Sequence, residues 1–135
     1  RITGLSNVAF GTIANFTSNL SSSQRLCIYR HAKTPKDPYQ VTARGSGSGG
    51  AFTLASGSNT LAYQVQWSDT SGQTTGTALT TGVALTNQTT NAAASGCTTG
   101  PITTASLIII LPSTEVQAAG AGSYTGTLTL VIAPN

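Results

Sequence analysis

Between Gly122 and Ile132 the chain reads Gly-Ser-Tyr-Thr-Gly-Thr-Leu-Thr-Leu-Val-Ile, an alternation that leaves few structural choices. Tyr124, Leu128, Leu130 and Ile132 share one parity, and Thr125, Thr127 and Thr129 fill the other until Val131. Successive side chains on a strand point to opposite faces. The pattern therefore predicts a sheet member with an oily face inward and a threonine face toward water. A long strand at the close of the sequence must pair inside its own sheet or offer its edge to something else. The function is expected to lie in that choice.

The same cadence runs through the chain. Strands are predicted at Ile2–Ile13, Gln24–Arg30, Tyr39–Arg44, Ala51–Leu54, Leu61–Trp67, Ala78–Leu85, Ser106–Leu111 and Tyr124–Ile132. Separators rich in Gly, Ser, Asn and Pro stand between them, among them Ser21-Ser22-Ser23, Gly45–Gly50 and Ser56–Asn59. Short strands at this spacing, with no sustained 3.6-residue apolar period, predict an all-β sandwich or barrel. Glycines and β-branched residues leave no capped run of good helix formers, so Val116–Ala121 is expected to form one loose turn at most. Leu61, Tyr63, Val65 and Trp67 alternate strictly, which makes the single tryptophan a core anchor in preference to a sugar-stacking platform. Gly45–Gly50 reads as a flexible connector, too short to divide domains, and residues 1–135 are read as a single domain.

Charged residues make up 7% of the chain, against about 25% in an average soluble protein. Ser, Thr, Asn, Gln and Gly must then supply most of the surface polarity. Such a surface can be shared between subunits without desolvating many charges. The sequence contains no Met, even at position 1, which points to a processed mature protein or a trimmed form. Removal of a secretory signal is the simplest expectation, and it agrees with two cysteines in a Thr/Ser/Gly-rich chain. The longest apolar run, Leu107–Leu111, falls far short of the ~20 residues a spanning helix needs, so no membrane span is expected.

Two cysteines in a secreted chain most simply form one disulfide, Cys27–Cys97. His31 is the only histidine and lacks the cluster of His, Cys or carboxylates that a metal site requires. No nucleophile elbow, paired-carboxylate arrangement, calcium loop or phosphate loop is present, so neither an enzyme nor a cofactor is expected. All six basic residues lie in the N-terminal third. Arg30, His31, Lys33 and Lys36 form a basic loop that could attract an anionic glycan or headgroup. Nucleic acid is not expected, because the basic set is small and no aromatic residues interleave it.

Several segments read in order resemble the spore coat protein U family, which includes subunits of archaic chaperone–usher pili. These are Phe10-Gly11-Thr12, Cys27 in the second strand, Tyr39–Ala43 before a Gly-rich turn, Leu61–Val65 followed by Asp69, and Gly122–Leu130. The resemblance implies an immunoglobulin-like antiparallel β-sandwich of about seven to eight strands that lacks its final strand. A neighbour's N-terminal segment would fill the gap by donor-strand complementation. Tyr124, Leu128, Leu130 and Ile132 would then line the assembly groove. Residues 1–9, with Ile2, Gly4, Leu5 and Val8, would be either the donor strand or the first half of the first strand, with a bulge near Gly4.

The resemblance also implies further copies of the chain, a periplasmic chaperone and an outer-membrane usher as partners, with export through the periplasm to the cell surface. Two functions are thus expected in order of preference. The first is a secreted structural subunit of a bacterial surface filament, serving adhesion or biofilm formation. The second is a secreted β-sandwich adhesin module that binds an anionic glycan through the His31–Lys36 loop.

Overall fold

β-branched and apolar runs become strands wherever a partner edge is available. In the computed structural model, which describes residues 1–31 and 38–135, ten strands form among the described residues. They are β1 (Ile2–Thr3), β2 (Leu20–Ile28), β3 (Tyr39–Gly45), β4 (Thr53–Ser56), β5 (Asn59–Ala62), β6 (Gln64–Ser68), β7 (Thr77–Ala78), β8 (Leu85–Gln88), β9 (Ala105–Leu111) and β10 (Leu128–Pro134). A five-stranded sheet has the order β1-β2-β9-β6-β7, and a three-stranded sheet has the order β10-β3-β8. β4 and β5 form a separate hairpin. All pairings are antiparallel. The chain is an all-β sandwich. The β1-β2-β9-β6 order and the β3–β10 pair follow the two halves of an immunoglobulin-like sandwich.

The most apolar run sits at the centre of the larger sheet. β9 pairs with β2 from Leu20↔Leu111 to Leu26↔Ala105, and with β6 from Gln64↔Ile110 to Ser68↔Ser106. Its Ala105, Leu107, Ile109 and Leu111 pack in the core with Leu26, Ile28, Tyr39, Val41, Ala43, Val65 and Trp67. Trp67 is only 1% exposed, and its Nε1 donates to the Tyr39 hydroxyl at 3.3 Å, joining the two sheets. That places Trp67 in the core, as the alternation predicts. Burial pushes the Tyr39 phenol well above its ordinary range. Cys27 and Cys97 are disulfide-bonded with Cα atoms 5.9 Å apart, stapling the Ser95–Cys97 turn to β2.

Several predicted boundaries shift for local reasons. Ser21-Ser22-Ser23, expected as a separator, lies inside β2, because β9 supplies a continuous edge opposite it. The first strand shrinks to Ile2–Thr3, since Gly4 turns the chain at φ 92°. The Ala78–Leu85 segment divides between the two sheets at β7 and β8, and the Leu61–Trp67 segment divides into β5 and β6. A six-residue helix, Ser113–Ala118, occupies ground where one loose turn was expected.

Gly45–Gly50 is not a loose connector. Gly47 N donates to Ala51 O at 3.1 Å, Gly50 N donates to Gly47 O at 2.9 Å, and Thr81 Oγ1 donates to Gly50 O. A Cβ on Gly45 would lie 2.0 Å from the Ala51 carbonyl oxygen. Close backbone approach, and not flexibility, is what glycine permits there.

Candidate functional site

Among the described residues, β10 is paired along its whole length on one side only. Its register on β3 runs without a break from Leu128↔Gly45 to Pro134↔Tyr39, and it ends the three-stranded sheet. Just beyond its ends, Asn135 N donates to Pro38 O at 3.2 Å and Thr127 N donates to Ser46 Oγ at 2.9 Å, both toward β3. In an antiparallel ladder the residues of one parity bond to the same neighbour. Thr129, Val131 and Ala133 therefore spend their amides on β3. The N–H and C=O groups of Leu128, Leu130 and Ile132 face the free edge. Pro134, which has no N–H to offer, shares that parity.

The same three residues turn their side chains inward, yet each is only half-buried. Their neighbours on β3 are sealed: Val41, opposite Ile132, and Ala43, opposite Leu130, are both 0% exposed. Beside this edge runs a groove of about 600 Å³. Leu128 and Leu130 form one wall, Leu107, Ile109 and Leu111 of β9 lie beneath, and Leu54 and Tyr63 close one flank. Burial raises the Tyr63 phenol above its ordinary value.

Residues 5–10 lie across this groove without joining either sheet. Arg1 and β1 anchor the segment on β2: the N-terminal amine donates to Tyr29 O at 2.7 Å, and Ile2 pairs with Ile28. Past Gly4 the backbone pairing stops. In its place the Gln24 side chain accepts from Ser6 N at 3.0 Å and donates to Ser6 O at 2.9 Å. Val8 and Phe10 are half-buried over the groove, and Leu5 is 50% exposed.

The residues singled out from sequence therefore divide. Leu128 and Leu130 line the groove; Ile132 continues the same edge outside it. Tyr124 does not belong to the final strand, which starts at Leu128. Its hydroxyl donates to Gly120 O at 2.7 Å, and Thr125 makes an isolated bridge with Ala55. The glycine at 126 lets that crossing come close, since a Cβ there would meet Thr53 O at 3.0 Å. Ile2, Gly4, Leu5 and Val8 all lie on their own chain's β2 side or over its own groove. Arg30 donates to Pro38 O, and His31 Nδ1 sits 3.4 Å from the Tyr29 hydroxyl. Lys33 and Lys36 lie outside the described residues.

Sequence reasoning missed Gln24 and the β9 floor as parts of the site. The signal for Gln24 was present. Leu20, Ser22, Gln24 and Leu26 share one parity, so two polar side chains interrupt an inward face. Among the described residues no group of three or more His, Cys, Asp or Glu could hold a metal ion. Among the described residues no helix is long and apolar enough to cross a membrane.

No family model matches the chain, and none of the curated proteins matches it. Among solved structures, the chain is similar over 100% of its length to a chain of a structure described as a chaperone–tip adhesin complex vital for synergistic activation of CFA/I fimbriae biogenesis. The TM-score is 0.66 at 16% identity, and this chain spans 41% of that one. The likeness is one of fold: the sandwich is of a kind found in a fimbrial assembly.

Proposed function

We propose that the chain is a single-domain structural subunit, residues 1–135, of a secreted bacterial surface filament built by β-strand donation between copies. The observation that carries this reading is the one-sided β10. Its three half-buried residues, Leu128, Leu130 and Ile132, also hold the outward-facing amides. One extended segment laid along that edge would satisfy the amides and cover the apolar groove together, which is β-augmentation. Residues 5–10 are held by the Gln24 side chain and by the packing of Val8 and Phe10 against the core, with no backbone ladder, so an incoming strand would break no ladder hydrogen bonds. A donor from a second copy makes a heterologous contact, and a heterologous contact that does not close generates a fibre.

The likeness to a fimbrial chaperone–adhesin complex supports this setting, as does a polar surface nearly free of charge. On this reading the partners are other copies, a periplasmic chaperone that guards the edge before assembly, and an outer-membrane usher. The filament reaches the cell surface through the periplasm and serves adhesion or biofilm formation; the role is not enzymatic.

Light scattering after size exclusion, with negative-stain imaging over a concentration series, tests the proposal. Oligomers or filaments are expected to grow with concentration and to vanish in Leu130→Pro, which removes an edge-facing N–H. A strictly monomeric protein, in which the Leu130 and Ile132 amides exchange as slowly as that of Val131, would overturn it.

A further inference from the structure

A second concavity lies at the other end of the sandwich and shares no lining residue with the apolar groove. It forms where β2, β6 and β8 end and β9 begins, so loops from both sheets converge on it. Its chemistry is the reverse of the groove's. Asp69, Thr70, Ser71, Thr89, Asn91 and Thr103 contribute the polar walls, and the half-buried Tyr29 contributes a ring.

These polar groups are held in place by their neighbours. Asp69 Oδ2 accepts from Thr89 N at 2.9 Å and from Thr89 Oγ1 at 2.8 Å. The carboxylate is thereby oriented, with its second oxygen outside those two bonds. Ser71 Oγ and Thr103 Oγ1 are 2.6 Å apart. Thr90 Oγ1 donates to Ile28 O at 2.6 Å and accepts from Ala92 N at 3.2 Å. Hydroxyls fixed in this way lose little entropy when a ligand engages them.

We propose that this cleft binds a neutral, hydroxyl-bearing ligand of saccharide type. A sugar offers donors and acceptors on every carbon, which suits walls of hydroxyl, amide and carboxylate. Its C–H face suits an aromatic ring with a polar tip, as Tyr29 provides. A purely apolar ligand would desolvate the Asp69 carboxylate and the threonine hydroxyls without replacing their hydrogen bonds. Among the described lining residues a polyanion would meet Asp69 and a polycation would meet Arg30, so these walls are not built for a ligand of one sign. The site is separate from the one proposed for strand donation, because the two share no lining residue.

The test is an amide-shift titration of the full chain with maltose, lactose and chitobiose, and in parallel with a sulfated disaccharide. Shifts are expected to concentrate at Asp69–Ser71 and Thr89–Ala93 with at least one neutral sugar, and to persist at high salt. Asp69→Asn is expected to weaken that binding about tenfold, the scale of one lost charge-assisted hydrogen bond. Asn91→Ala, at an exposed position, is expected to weaken it several-fold without changing the melting temperature, which covers the case in which the Asp69 variant fails to fold. Leu130→Pro is expected to leave it unchanged. Absence of shifts with every neutral sugar at ~10 mM, or binding of the sulfated sugar alone with loss at high salt, would overturn the proposal.

Discussion

Strands β3 and β10 lie side by side in one sheet, matched residue for residue over seven positions, yet they have different environments. β3 has β8 on its far side and the five-stranded sheet beneath it, and its inward residues Tyr39, Val41 and Ala43 are all 0% exposed. β10 has the same alternation and equally apolar inward residues, and they remain half-buried. Composition does not separate the two strands; the number of neighbours does. A side chain on a sheet face is sealed by the strands on both sides of its own as much as by the opposite layer. The half-burial of Leu128, Leu130 and Ile132 therefore reflects a strand with one neighbour among the described residues, where β3 has two.

The contrast can be broken at several points. The largest effect is expected at the sealed end, from Cys27→Ser with Cys97→Ser. Releasing a link across 70 residues should cost about 4 kcal/mol in the chain-entropy model, read from denaturant unfolding, with assembly through β10 retained under native conditions. Next comes a pair of adjacent prolines. Val131→Pro removes an amide bonded to β3 and should cost about 3 kcal/mol or more, whereas Leu130→Pro removes an edge amide and should leave the far-ultraviolet circular dichroism intact while abolishing assembly. If both variants unfold equally, the assignment of the free edge is wrong.

Two register partners sharpen the comparison further. Val41→Ala should destabilise the monomer by about 2 kcal/mol, and Ile132→Ala by about 1 kcal/mol although it deletes more atoms, because Ile132 starts half in water. In assembled material the cost at Ile132 should rise toward that of a core position; an unchanged cost would mean that no strand covers it.

The smallest effect is a pH dependence at the closed side. Tyr39 is buried against Trp67, and burial raises its phenol pKa in the folded state above the ordinary value near 10. The folded state then holds the proton more tightly than the unfolded chain. Stability from this group is fully present below about pH 10 and declines as the pH rises above it toward the folded-state value. Unfolding curves should be flat from neutral pH to that point and fall beyond it. Tyr39→Phe should flatten the fall, at the cost of an unpaired Trp67 Nε1–H.

Much of the fold could be read from the residues because the signals were local. The alternation of Leu61 to Trp67 placed Trp67 in the core, and the apolar run Leu107–Leu111 fell in a predicted strand, which the structure buries almost throughout. Boundaries were less legible where a partner decided them. Ser21-Ser22-Ser23 carries the composition of a turn and becomes strand because β9 lies opposite. Tyr124 carries the parity of β10 and falls outside it, because the chain crosses to the β4–β5 hairpin at Thr125 first. Of the groove, the β10 wall was legible in sequence. The β9 floor and the Gln24 clamp were not, since they come from segments far apart in the chain.

By itself the amino-acid sequence determined an all-β chain, an oily face on its last strand, a surface poor in charge and a disulfide between its only two cysteines. Periodicity and composition are properties of neighbouring residues, so they survive without a fold. Which strand edge stays open, what lies beneath it, and where a second, polar cleft forms were decided only by the tertiary structure. Those features exist only when strands distant in sequence pack, and backbone hydrogen bonds are assigned to one neighbour and not another.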